Sequence, residues 1–146
     1  MPAIKKENAI ISEKILIADD EYLIRWSLSQ ALSEQGYEVF SVENGKKALE
    51  VLKTQTFDII ITDLFMPEMD GWKILETVQQ TWPQLRVIIM TGHGKEEIKK
   101  KAKEKGAWAY VEKPFLIDAI SGLLKATWST PLIYNPLLIS DLFISV

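Results

Sequence analysis

Four short stretches of this chain are apolar on consecutive positions rather than on alternate ones: Ile15-Leu16-Ile17, Ile59-Ile60-Ile61, Val87-Ile88-Ile89-Met90 and Trp108-Ala109-Tyr110-Val111. A strand with one face in water alternates apolar and polar residues, so these runs need cover on both faces, as in a parallel sheet flanked by helices. The segments between them carry apolar residues at helical spacing. Ile24, Leu28, Ala31 and Leu32 mark one face over Glu21–Gln35, with Gly36 placed for a left-handed C-cap. Asn44 can cap a helix over Gly45–Thr54, with Ala48, Leu49, Val51 and Leu52 inside.

The rest of the chain repeats the alternation. Strands are predicted at Lys14–Ala18, Glu38–Val42, Ile59–Thr62, Arg86–Met90 and Trp108–Val111. A loop through Met66-Pro67 and Asp70-Gly71 leads to a helix ending near Trp82-Pro83, with Ile74, Leu75 and Val78 inward. A charged helix over Lys95–Lys105 has Ile98 and Ala102 as its main apolar positions, and a last helix runs from about Leu116 to Trp128 and contains Gly122. Such a βα alternation implies an α/β fold, a doubly wound five-stranded parallel sheet with helices on both faces. Of the common orders, flavodoxin-like 2-1-3-4-5 fits five strands and puts its ligand crevice beside strands one and three.

Those two strands end in acids. Asp19-Asp20-Glu21 follows the first and Asp63 the third, while Glu112-Lys113-Pro114 follows the fifth. In a parallel sheet Asp19, Asp20, Asp63 and Lys113 all meet at the carboxyl edge. Crowded carboxylates repel and require a compensating cation, and oxygen donors suit a small hard ion such as Mg2+. The constellation reads as a metal-assisted phosphoryl site.

Bulk properties are compatible with this. The 146 residues, 47% apolar and 25% charged, suit one globular domain with a real core. Seventeen basic against twenty acidic residues give a net charge of −3, which argues against a direct nucleic-acid binder. The absence of cysteine excludes disulfides and thiolate zinc sites and suits a reducing cytoplasm. Residues 1–13 form a leader with Lys5, Lys6 and Glu7 in place of a long apolar stretch, so neither a signal peptide nor a membrane association is expected.

Four spaced motifs, Ile15-Leu16-Ile17-Ala18-Asp19-Asp20-Glu21, Asp63-Leu64-Phe65-Met66-Pro67-Glu68-Met69-Asp70-Gly71, Thr91-Gly92 and Tyr110-Val111-Glu112-Lys113-Pro114-Phe115, together resemble the receiver domain of bacterial two-component response regulators over residues 14–128. The resemblance implies that Asp63 is the phosphoacceptor. It further implies that Asp20 and Asp63 bind Mg2+ directly, Asp19 through water, and that the Phe65 backbone carbonyl completes the protein ligands. Lys113 would pair with a phosphoryl oxygen and Thr91 would offer its hydroxyl to another. Thr91 and Tyr110 would form the switch that alters the surface of the fourth helix, fifth strand and fifth helix, and the Lys113-Pro114 peptide would be cis. Implied partners are a sensor histidine kinase or phosphotransfer protein and a downstream protein target or effector domain. The domain would be a signalling module with only slow self-phosphorylation and self-dephosphorylation, not an enzyme.

Other readings stand beside this one. Trp108 shares parity with Tyr110, which suggests either an exposed partner anchor or packing under a helix. His93 reads as a solvated loop residue. The tail at 129–146, rich in Leu and Ile with Asp141 its only charge, is interrupted by Pro131 and Pro136 and has no room for an effector domain. It either packs on the core or mediates homodimer formation, or is an altered end that lost a longer protein's output domain. A non-phosphorylated interaction module on the same fold is one competing function. A haloacid-dehalogenase-type phosphatase is another, but it needs a second acid two residues beyond its nucleophile, where Phe65 stands.

Overall fold

The computed structural model describes residues 13–92, 95–113, 117–129 and 143–144. His93, Pro114 and most of the tail lie outside them, and with them the readings of His93 and of the cis peptide.

Elements alternate as β1 (Lys14–Ala18), α1 (Tyr22–Glu34), β2 (Glu38–Val42), α2 (Gly45–Leu52), β3 (Ile59–Asp63), α3 (Gly71–Thr81), β4 (Arg86–Thr91), α4 (Glu96–Glu104), β5 (Ala109–Glu112) and α5 (Ile117–Ser129). The sheet order is β2-β1-β3-β4-β5, every pair parallel, as the runs of consecutive apolar residues require. Ile15–Ala18, Ile59–Ile61 and Val87–Met90 are essentially inaccessible to solvent, because helices cover both faces. From those helices Leu28, Leu32, Ala48, Ile74, Leu75, Val78, Ala102, Ile120 and Leu124 supply the cover.

Local signals explain the helix boundaries. Gly36, at φ 100°, closes α1 as a Schellman motif: its N–H donates to Ser33 O and the Tyr37 N–H to Leu32 O. Asn44 caps α2 by accepting from Lys47 N at 2.8 Å. Asp70 caps α3 in the same way through Lys73 N at 3.0 Å.

Two expectations change and one open alternative is decided. A sixth, two-residue strand, β6 (Phe143–Ile144), pairs in parallel with β5, Tyr110 opposite Phe143 and Val111 opposite Ile144. The outer edge of β5 offers unpaired backbone groups, and a tail segment of β-forming residues can satisfy them. Trp108 is buried at 4% exposure with the Arg86 guanidinium 5.0 Å from its ring, so it is core and not a partner anchor. β5 itself starts one residue later and reaches Glu112, leaving the parity of Tyr110 unchanged.

One glycine positions the site. Gly71 opens α3 with its N–H donating to Leu64 O at 2.8 Å. A Cβ there would lie 2.3 Å from Asp63 O and 2.8 Å from Leu64 Cα, both backbone atoms. Gly71→Ala should therefore destabilise the fold by about 1–3 kcal/mol through overpacking. A lowered urea midpoint with an unchanged slope checks this; an unchanged midpoint would show that the loop yields freely.

Candidate phosphoryl site

Each functional side chain sits where a buried strand runs out into water. β1 delivers Asp19, which is fully buried, and the next residue, Asp20, is exposed. β3 ends on Asp63, 6% exposed, in the neighbouring position of the sheet. One carboxylate oxygen from each of Asp19, Asp20 and Asp63 falls within 4.8 Å of the others. Three hard oxygen donors at this spacing fit a small divalent cation, and the acidic pocket could hold one.

Lys113 reaches into the same cluster from the end of β5. Its Nζ lies 2.6 Å from Asp19 Oδ2, 2.9 Å from Asp63 Oδ2 and 2.9 Å from Glu21 Oε1. The Lys113 backbone N–H donates to Thr91 O at 2.8 Å, tying the end of β5 to the end of β4. The second oxygens are also engaged: Asp19 Oδ1 accepts from Glu21 N at 2.8 Å, and Asp63 Oδ1 from Phe65 N at 3.3 Å. Arg25 adds a donor from α1 to the Asp19 carbonyl at 2.8 Å.

Burial and charge pull the two buried partners in opposing ways. Burial, the largest influence on Asp19, raises its carboxyl pKa, and the Asp63 charge adds to this. The Lys113 hydrogen bond and the Glu21 amide offset only part of the rise. Burial works against the Lys113 charge, but hydrogen bonds to Asp19, Asp63 and Glu21 outweigh it and hold the lysine above its ordinary range. The lysine therefore stays cationic, and it is the local answer to carboxylate crowding.

Thr91 ends β4, one strand over from Asp63, and is fully buried. In the sheet Ile89 lies opposite Tyr110 and Thr91 opposite Glu112, so Thr91 and Tyr110 share a face. Tyr110 is fully buried, and burial, followed by the charges of Glu112 and Glu96, pushes its phenol up to about 12.

All the predicted acids and Lys113 thus converge on one rim. Three features were not anticipated: Glu21 on the lysine, Arg25 behind Asp19, and an exposed apolar cluster on α1. In that cluster Tyr22, Leu23 and Trp26 are 66%, 72% and 55% exposed. The last was legible as large apolar residues off the Leu28–Leu32 face. The Glu21 contact was not, because it needs a lysine 92 residues away.

The response regulator receiver domain family model matches residues 15–125. Sporulation initiation phosphotransferase F of Bacillus subtilis (strain 168) is 38% identical over 116 residues, 80% of this chain and 94% of the relative. The DNA-binding transcriptional regulator NtrC of Escherichia coli (strain K12) is 39% identical over 111 residues, 76% of this chain but 24% of NtrC. The chain thus spans nearly all of one relative and about a quarter of the other. Among solved structures, the Francisella response regulator 1452 receiver domain superposes with a TM-score of 0.77 at 28% identity, covering 81% of this chain and 98% of that one. Fold order, acidic rim and sequence similarity agree: the chain belongs to the response regulator receiver domain family.

Proposed function

We propose that the chain is a phosphorylation-dependent signalling switch in which Asp63 accepts a phosphoryl group from a sensor histidine kinase or a phosphotransfer protein. The observation that carries this reading is the Lys113 ammonium held between Asp63 and Asp19 at the mouth of the acidic rim. An Asp63 carboxylate oxygen attacks phosphorus as the donor's bond to phosphorus breaks, and that bonding pair leaves with the donor. Lys113 supplies a point charge to a phosphoryl oxygen, and Thr91 supplies a hydroxyl to another. Asp19, Asp20, Asp63 and the Phe65 carbonyl would hold Mg2+, with Asp19 acting through water. When bound, that ion neutralises phosphoryl oxygens and keeps donor and acceptor in line.

Output follows from the buried pair on β4 and β5. Phosphate draws Thr91 toward Asp63, and Tyr110 keeps the space behind it, biasing the α4, β5 and α5 surface toward one state. A nearly complete switch needs phosphate to favour that state by about 5.5 kcal/mol. The target is a separate protein or an attached output domain, consistent with relatives of both lengths. Residues 14–128 constitute the receiver, acting in the cytoplasm. Among the described residues no helix is long and apolar enough to cross a membrane.

The phosphodonor protein docks on the exposed Tyr22, Leu23 and Trp26, which adjoin Glu21 and the site. Trp26→Ala should slow transfer from a purified sensor kinase that phosphorylates wild type by roughly tenfold, the scale of a hot-spot residue. Its uptake from acetyl phosphate should be unaltered. An equal kinase rate for both proteins would remove this face from the docking surface. The whole reading is tested by incubation with acetyl phosphate and Mg2+ followed by intact mass. One phosphate-sized gain is expected, whereas rapid turnover of many phosphomonoesters would favour a phosphatase instead.

A further inference from the structure

An ammonium has three N–H donors. On Lys113 two of them go to Asp63 Oδ2 and Glu21 Oε1, each at 2.9 Å, and the ammonium also stands in ion-pair contact with Asp19 Oδ2 at 2.6 Å. With three carboxylate oxygens already within 2.9 Å of the ammonium, an incoming phosphoryl oxygen displaces one of them. The three are not equivalent. Asp19 is fully buried and has the shortest contact, so releasing it would strand a carboxylate with little access to water. Asp63 is the acceptor, and its phosphate must stay beside the lysine. The Glu21 side chain is 61% exposed, and water replaces the ammonium there at small cost.

We propose that Glu21 is a positioning residue: a releasable counter-ion that parks the Lys113 ammonium before phosphorylation and is exchanged for a phosphoryl oxygen afterwards. The backbone supports this role. The Glu21 N–H is fastened to Asp19 Oδ1, so the residue is anchored while its carboxylate stays free to swing into solvent. Glu21 also adds negative charge at the entry of an anionic donor. Both effects act in one direction, slowing phosphate uptake and favouring phosphate loss when the carboxylate returns to the lysine. The inference rests on the phosphoacceptor reading of Asp63.

The test uses the full chain with acetyl phosphate and Mg2+, comparing wild type with Glu21→Gln and Glu21→Asp. Glu21→Gln should accelerate uptake about two- to fivefold and lengthen phosphate lifetime by a similar factor, the scale of an exposed ion pair. Glu21→Asp keeps the charge but is one methylene shorter. If contact with the lysine matters, it should follow Glu21→Gln; if it matches wild type, general charge is responsible and the proposal fails. A readout independent of phosphate chemistry is the Lys113 side-chain NMR signal in the unphosphorylated protein. It should move in both variants, whereas beryllofluoride should bring all three proteins to a common position. An unmoved lysine signal overturns the proposal even if rates change. Wild type taking up phosphate while the variants match it would reject Glu21 alone; wild type taking up none would reject the Asp63 reading on which it rests.

Discussion

Asp63→Asn should abolish stable phosphate uptake from acetyl phosphate, with no mass gain where wild type shows one. The amide is nearly the same size, so the side chain still fits a position only 6% exposed, although its single oxygen can accept from only one of the two donors, Phe65 N and Lys113 Nζ, that the carboxylate serves. What is lost is the anionic nucleophile and with it the acyl phosphate. Nearby acids do not substitute: Asp19 is fully buried and committed through both oxygens, to Lys113 and to the Glu21 amide. A phosphate-sized gain persisting in Asp63→Asn, mapped to another residue by peptide mass, would displace Asp63 as acceptor.

Lys113→Ala should carry the largest stability effect of any substitution in the site. The lysine is the one cation paired with the Asp19 and Asp63 carboxylates among the described residues, and both carboxylates are buried. Removing one partner of a buried ion pair leaves an uncompensated charge, a loss of about 3–5 kcal/mol. Asp19, already raised by burial, would rise further without the lysine to pull it down. A divalent cation can take over the compensation, so the defect should be large in EDTA and much smaller in millimolar Mg2+. Urea unfolding of wild type and variant in both buffers measures this. A loss below about 1 kcal/mol in EDTA, the size expected of a surface pair, would mean that the carboxylates do not depend on the lysine.

The degree to which the site was legible follows from the range of the interactions involved. Asp19, Asp20 and Asp63 could be placed together because strand ends are local features and parallel topology forces those ends onto one rim. The Gly36 and Asn44 caps were legible for the same reason, since a cap is satisfied within a few residues of itself. Trp108 was ambiguous because parity assigns a face but not what covers it. Only packing shows that Arg86 and the core enclose it.

Glu21 illustrates the other limit. As a residue after two aspartates it reads as one more acid at a helix start, and its role depends on which oxygens Lys113 reaches. The two-residue β6 strand likewise depends on the tail returning to a particular edge.

By itself, the sequence determined the five-strand parallel order, the burial of the strands and the acids gathered at their carboxyl ends, because periodicity and chain order encode these. Only the folded arrangement shows one ammonium held against Asp19, Asp63 and Glu21, with Tyr22, Leu23 and Trp26 standing in solvent beside them. Hydrogen-bond valence and exposure are properties of neighbours in space, and residues far apart in the chain become neighbours only when the sheet is assembled.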